Sequence, residues 1–198
     1  MLSARKLALI SLLSSTVVAI SYSKVLSVPY LPGAFEFMTV IIFVSGFCFG
    51  STVGAFTGAL AETIFTMAPY PLAWPGSWLF ATSPILLATM ALLGALYGVV
   101  GGILGKRWNS NLRVTRSFVL KLGISGFVLT FIYDVLSSVG FYLAYPYYPS
   151  VWVAIYTTFI PLFYPYPPII HTVTNTIIFM IIAPPLILSI NRLLNVAK

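Results

Sequence analysis

Four polar side chains stand inside otherwise apolar stretches: Glu62, Asp134, His171 and Asn175. Such groups in a hydrocarbon environment are costly unless they pair or meet a ligand. The chemistry open to them is recognition by charge and hydrogen bonding. Bond-breaking chemistry lacks its usual parts. No HExxH or other metal-ligand spacing occurs, so neither a metal nor another cofactor is expected. A Gly-x-Ser-x-Gly nucleophile elbow is absent. Asp134 is the only aspartate, so an intramembrane aspartate pair cannot form. Around Lys106 a phosphate-binding loop fails, because Val100 stands where its first glycine belongs and Arg107 follows the lysine. The chain is therefore expected to be no enzyme, and not to draw energy from ATP by itself.

The elements that must position these residues follow from composition. Of 198 residues, 60% are hydrophobic and 7% charged, against roughly 25% charged in a soluble domain. The apolar runs are continuous rather than alternating, which excludes a membrane barrel. The reading is a single-domain, all-α, polytopic protein of the cell membrane. The formal net charge is +7. Its basic residues flank the apolar runs, where they orient helices, so no nucleic-acid partner is expected. The lone Cys48 reads as a buried structural thiol.

Spans are expected at about 5–23, 36–49, 51–67, 81–105, 117–144 and 167–194. Arg5 and Lys6 ahead of the first run also fit a signal peptide, but Ala19-Ile20-Ser21 makes a weak cleavage site, so a retained first span is the reading. The run from Phe37 to Met67 is the hard one. As a single helix it would be about 45 Å long, well over a hydrocarbon core of about 30 Å. Lys106, Arg107, Arg113, Arg116 and Lys121 belong on the cytoplasmic side, as do Arg5 and Lys6. An even number of crossings must separate the two groups, so this run has to count as two spans, breaking near Gly50-Ser51. Six spans with both termini inside result.

Glycines recur at 46, 50, 54 and 58, then at 94, 98 and 102, a spacing that lets helices pack closely in a membrane. Glu62 continues the first series. A loop follows with Pro69, Pro71 and Pro75 and with Trp74 and Trp78, which reads as an aromatic lid. A second aromatic, proline-rich outer loop, YPYYPSVW, follows the fifth span. Asp134 lies 13 residues past Lys121, about 20 Å from the inner face. His171 opens the last span, and Asn175 lies one turn deeper on the same face. Three helices thus bring polar groups to one depth in the outer half. Lys24 and Glu36, in or beside the first outer loop, read as solvated. The plain alternative is an internal network, such as Asp134 with His171, that only ties helices together. Taken as a set under the WPGSW loop, the residues read as a pocket. Ser11 and Ser15 form a small-residue face on the first helix; on residues alone, packing within the chain is its plainer use.

Together the GxxxGxxxGxxxG series, the glycine-spaced fourth span, Tyr133-Asp134, and the ending IPLFYPYPPIIHTVTNTIIFMIIAPPLILSI resemble the substrate-binding S components of energy-coupling factor (ECF) transporters. The likeness runs from Arg5 to Leu194 through loose motifs. It implies six helices, a vitamin or similar micronutrient bound near the outer face, and a loop after the third helix covering it. It also implies a transmembrane coupling subunit meeting the first helix, where Ser11 and Ser15 stand in place of the family's alanines, and two ATPase subunits. A structural protein of the rod-shape-determining type and a self-sufficient transporter remain the alternatives. The orientation is checked by impermeant thiol labelling of intact cells. Gly76→Cys should label from outside, and Ser110→Cys should not; the reverse pattern contradicts it.

Overall fold

The computed structural model describes residues 2–22, 36–67, 83–108, 114–145, 147–159 and 168–196. Among the described residues all regular structure is helical: α1 Ala4–Tyr22, α2 Phe37–Phe49, α3 Ser51–Met67, α4 Pro84–Trp108, α5 Arg116–Ala144, α6 Val151–Phe159, α7 Pro168–Ile181 and α8 Ala183–Val196. Four stretches among the described residues are long and apolar enough to cross a membrane: α1, α4, α5, and α7 with α8 taken together from Ile169 to Leu194. The chain is a multi-pass membrane protein by that measure.

The helix ends follow local chemistry. Ser83 caps α4, accepting from the Leu86 amide at 3.4 Å, with Pro84 in the first position where no donor is missed. Thr115 caps α5 by accepting from the Phe118 amide at 3.2 Å. Between α7 and α8 the helix breaks at Ile182, because Pro184 and Pro185 offer no amide to the preceding turn. Gly50 separates α2 from α3 with φ 95° and ψ 159°, a conformation open essentially to glycine alone. It is therefore the hinge of a hairpin rather than part of a continuous glycine face.

That hairpin folds back on itself around α4. A Cβ on Gly54 would meet the Gly46 Cα and the Gly98 carbonyl. A Cβ on Gly58 would meet the Gly94 backbone, and one on Gly102 the Ser51 backbone. The pairs 51–102, 54–98 and 58–94 make α3 and α4 antiparallel in a steady register. Gly101 and Gly105 meet the carbonyls of Phe43 and Phe47, so α2 runs parallel to α4. Here helices touch by backbone, and side chains fill the flanks.

The remaining helices extend this core. Helix α7 runs parallel to α2, matching His171 with Glu36, Asn175 with Thr39 and Phe179 with Phe43. It runs antiparallel to α5, which lays Gly126 under the Phe179 ring. Helix α1 runs parallel to α3: Ser14 donates to the Thr57 carbonyl at 3.3 Å, and Tyr22 to the Phe65 carbonyl at 2.9 Å. Val151 to Phe159, expected to begin within an outer loop, instead form the short helix α6, with Trp152 and Tyr156 exposed.

These directions sort the charges. Arg5, Lys6, Lys106, Arg107, Arg116, Lys121 and Arg192, the basic residues among those described, fall toward the end of the bundle marked by Gly50. The opposite end, where α2 and α7 begin and α3 finishes, holds the acidic ones.

The backbone contact at Gly98 gives a direct check. A methyl there would overlap the Gly54 carbonyl and the Ala55 nitrogen, neither of which can rotate away. Gly98→Ala should cost on the order of 1–3 kcal/mol through overpacking, seen as a lower melting temperature in detergent. Melting at the wild-type temperature would show that the three helices are not in backbone contact.

Candidate functional site

The chain has three acidic residues and one histidine, and the fold brings all four together. Each comes from a different position along the sequence. Glu36 precedes α2, Glu62 lies in the last turns of α3, Asp134 is past the middle of α5, and His171 is in the first turn of α7.

His171 is the hub. Its Nδ1 lies 2.9 Å from Asp134 Oδ1, and its Nε2 lies 3.0 Å from Glu36 Oε2. With both nitrogens protonated, the imidazole donates to both carboxylates at once. The other Asp134 oxygen accepts from the Thr172 hydroxyl at 3.0 Å. Both Asp134 oxygens are thus committed within the protein, and Asp134 and His171 are buried.

Asn175, fully buried, lies one turn deeper. Its Nδ2 is 3.1 Å from His171 Nε2, 3.2 Å from Thr130 Oγ1 and 3.4 Å from Thr39 Oγ1. Thr130 in turn shares a proton with the Tyr97 hydroxyl at 2.9 Å. The amide oxygen has no partner at all. Turning the amide over exchanges the two atoms and still leaves one of them unserved.

Glu62 is 1% exposed, and its Oε1 is likewise without a hydrogen-bond partner. Its side chain passes over Gly94, where a Cβ would strike Glu62 Cγ. The neighbouring charges are Glu36 and His171, and the Tyr133 hydroxyl stands near its carboxylate while lying 3.2 Å from the Met90 sulfur. A buried carboxylate oxygen with nothing to accept from carries the full desolvation cost of its burial.

Of the residues expected to form the site, Glu62, Asp134, His171 and Asn175 share one end of the bundle. Trp74, Trp78 and Lys24 lie outside the described residues. Glu36 corrects the sequence reading: it is an intimate partner of His171 rather than a solvated loop residue. Thr39, Thr130, Thr172 and Tyr97 also belong to the network and were not anticipated. Their signal was faint, since a threonine or tyrosine in an apolar run is ordinary, and only the α2–α7 and α5–α7 registers single these out. Among the described residues no group of histidine, cysteine, aspartate and glutamate is arranged to hold a metal ion.

Ser11 and Ser15 are exposed on α1, whose inward stripe is Ile10, Ser14 and Val17. This overturns the plainer use of that face, packing within the chain, as far as the described residues go.

No family model, curated protein or solved structure matches the chain. The site's meaning rests on its own geometry.

That geometry divides the residues by role. Asp134 and His171 are satisfied by the protein and hold α5, α7 and the start of α2 together. Glu62 and Asn175 keep unused capacity. Asp134→Ala would strip both His171 Nδ1 and Thr172 of their acceptor in apolar surroundings. Breaking such a buried pair costs on the order of 3–5 kcal/mol. The variant should melt well below wild type, with Asp134→Asn falling less; wild-type melting of Asp134→Ala would refute the role.

Proposed function

We propose that this protein is a small-molecule binding subunit of a membrane uptake system, with its ligand held at the acidic end of the bundle. One observation carries the reading. All the chain's carboxylates and its only histidine converge there, yet Glu62 Oε1 and one atom of the Asn175 amide remain buried and unpartnered. A network serving only to tie helices has no use for a buried carboxylate oxygen left without a partner. A site waiting for a ligand does, because the ligand supplies the missing partner.

The finer reading follows the resemblance to S components of ECF transporters. Six spans then cross the membrane, α1, α2, α3, α4, α5 and the kinked α7–α8, with α6 lying outside. Placing the basic end in the cytoplasm puts the acidic cluster near the outer surface and both termini inside. The α2–α3 hairpin has helices of 13 and 17 residues, short for a bilayer, and they lie against α4 and α1 rather than standing alone. The ligand class in this reading is a vitamin or related micronutrient. Energy comes from ATPase subunits through a transmembrane coupling subunit docked on the exposed Ser11/Ser15 face, where small residues permit close approach. Ser11→Trp with Ser15→Trp should then abolish ATP-dependent uptake and leave binding unchanged.

The structural alternative draws its support from Asp134 and His171, which are fully paired. Glu62 separates the two. Replacing a buried carboxylate whose Oε1 has no partner leaves the ligand-free protein no weaker, whereas removing part of a structural network weakens it. Purified protein is dialysed, then melted with and without the low-mass filtrate of a host-cell extract. Wild type should melt higher with the filtrate. Glu62→Gln should lose that rise while melting, when dialysed, no lower than dialysed wild type. No rise for wild type, or a lower dialysed melting temperature for Glu62→Gln, would return the cluster to a structural role.

A further inference from the structure

The site proposed above is unbalanced in charge, and the imbalance names the kind of ligand it takes. Three carboxylates face one imidazole. Every basic residue among those described lies toward the other end of the bundle. Even with His171 donating to both of its carboxylates, only Glu36 and Asp134 receive its protons.

Glu62 is then left over. It lies near Glu36, a like charge, and Tyr133 offers a single hydroxyl that also faces the Met90 sulfur. Its Oε1 accepts nothing and is 1% exposed, so water does not compensate it from bulk. Asn175 supplies the second sign. It carries no charge, is fully buried, and still has one unserved amide atom beside the same imidazole. The combination is one spare carboxylate oxygen and one spare neutral hydrogen-bonding group, near the Tyr97 and Tyr133 rings, which pack against each other edge to face with centroids 6.1 Å apart.

We infer that the ligand is an organic cation whose positively charged nitrogen pairs with Glu62, with a neutral polar group for Asn175. This rests on the binding-subunit reading above and narrows its ligand. A carboxylate or phosphate ligand would bring further negative charge against Glu36, Glu62 and Asp134. An inorganic cation is the poorer fit, because Asp134 and Glu36 already accept from His171 rather than converging as free ligands.

The test is calorimetric titration of the purified full chain with compounds matched in shape and differing in charge. Cationic probes are thiamine, 1-methylnicotinamide and N-methylquinolinium. Neutral probes are nicotinamide, quinoline and riboflavin; nicotinate and folate are the anions. Charged hydrogen bonds are worth enough to set cation over neutral partner by roughly 10- to 150-fold in affinity. The expected result is binding of at least one cationic probe with a gap of that size over its neutral counterpart, and collapse of the gap in Glu62→Gln. Tighter binding of a neutral or anionic probe overturns the charge assignment and leaves the binding-subunit reading standing. Stabilisation by magnesium or calcium ions alone overturns it in favour of a metal site. Binding of no probe overturns the inference, and the filtrate experiment then decides the broader reading independently.

Discussion

Where Gly46, Gly54 and Gly98 meet, three helices touch through their backbones, and the rest of the structure depends on that contact. Without side chains between them, α2, α3 and α4 meet backbone to backbone, the close approach that glycine permits. In hydrocarbon there is no hydrophobic gain from bringing apolar helices together, so close fit has to supply the attraction. The hairpin at Gly50 makes this possible by turning α3 back along α2, and its positive φ confines that position to glycine. The same contact sets the level of everything beyond it. Starting from the fixed glycine point, α2 leads back to Glu36 and α3 leads on to Glu62. Gly94 then leaves room for the Glu62 side chain.

A second constraint is the cost of charge in an apolar bundle. The protein meets it by segregation: basic side chains toward one end, carboxylates and histidine at the other. Within the acidic end the cost is met unevenly. Asp134 is compensated by His171 and Thr172, and Glu36 by His171. Glu62 keeps one carboxylate oxygen without a hydrogen-bond partner, although the Tyr133 hydroxyl stands near the carboxylate. Evenly satisfied networks make rigid cores, and uneven ones mark places where stability has been given up. The pattern of satisfaction, more than the presence of polar residues, separates scaffold from site here. Asp134 and His171, the most chemically suggestive pair in the sequence, are already paired within the protein.

Much of the architecture was legible in the residues. Continuous apolar runs gave an all-α membrane protein, and the length of the stretch from Phe37 to Met67 demanded a break, which the fold places at Gly50. The depth of Asp134, His171 and Asn175 could be counted along their helices, because 1.5 Å per residue is a reliable ruler. What could not be read was lateral pairing. Glu36 sits at the edge of a loop, and nothing in its neighbours distinguishes a solvated carboxylate from one reaching His171; only the parallel register of α2 and α7 does. The threonines at 39, 130 and 172 were hidden for the same reason. Helix α6 was obscured by the prolines and tyrosines just before it, which read as loop, while the helix itself is only nine residues long. On α1 the small residues were legible but their direction was not, since Ser14 turns inward and Ser11 and Ser15 outward.

The central claim is that the unpartnered groups at the acidic end hold a small molecule. Native mass spectrometry of the chain, extracted gently from its own host membranes, tests it most directly. The account predicts a wild-type species carrying one noncovalent small molecule distinct from lipid, and the loss of that species in Glu62→Gln protein of unchanged fold. Wild-type protein that flies only as the bare chain and its lipid adducts, or an adduct retained unchanged in Glu62→Gln, would contradict it.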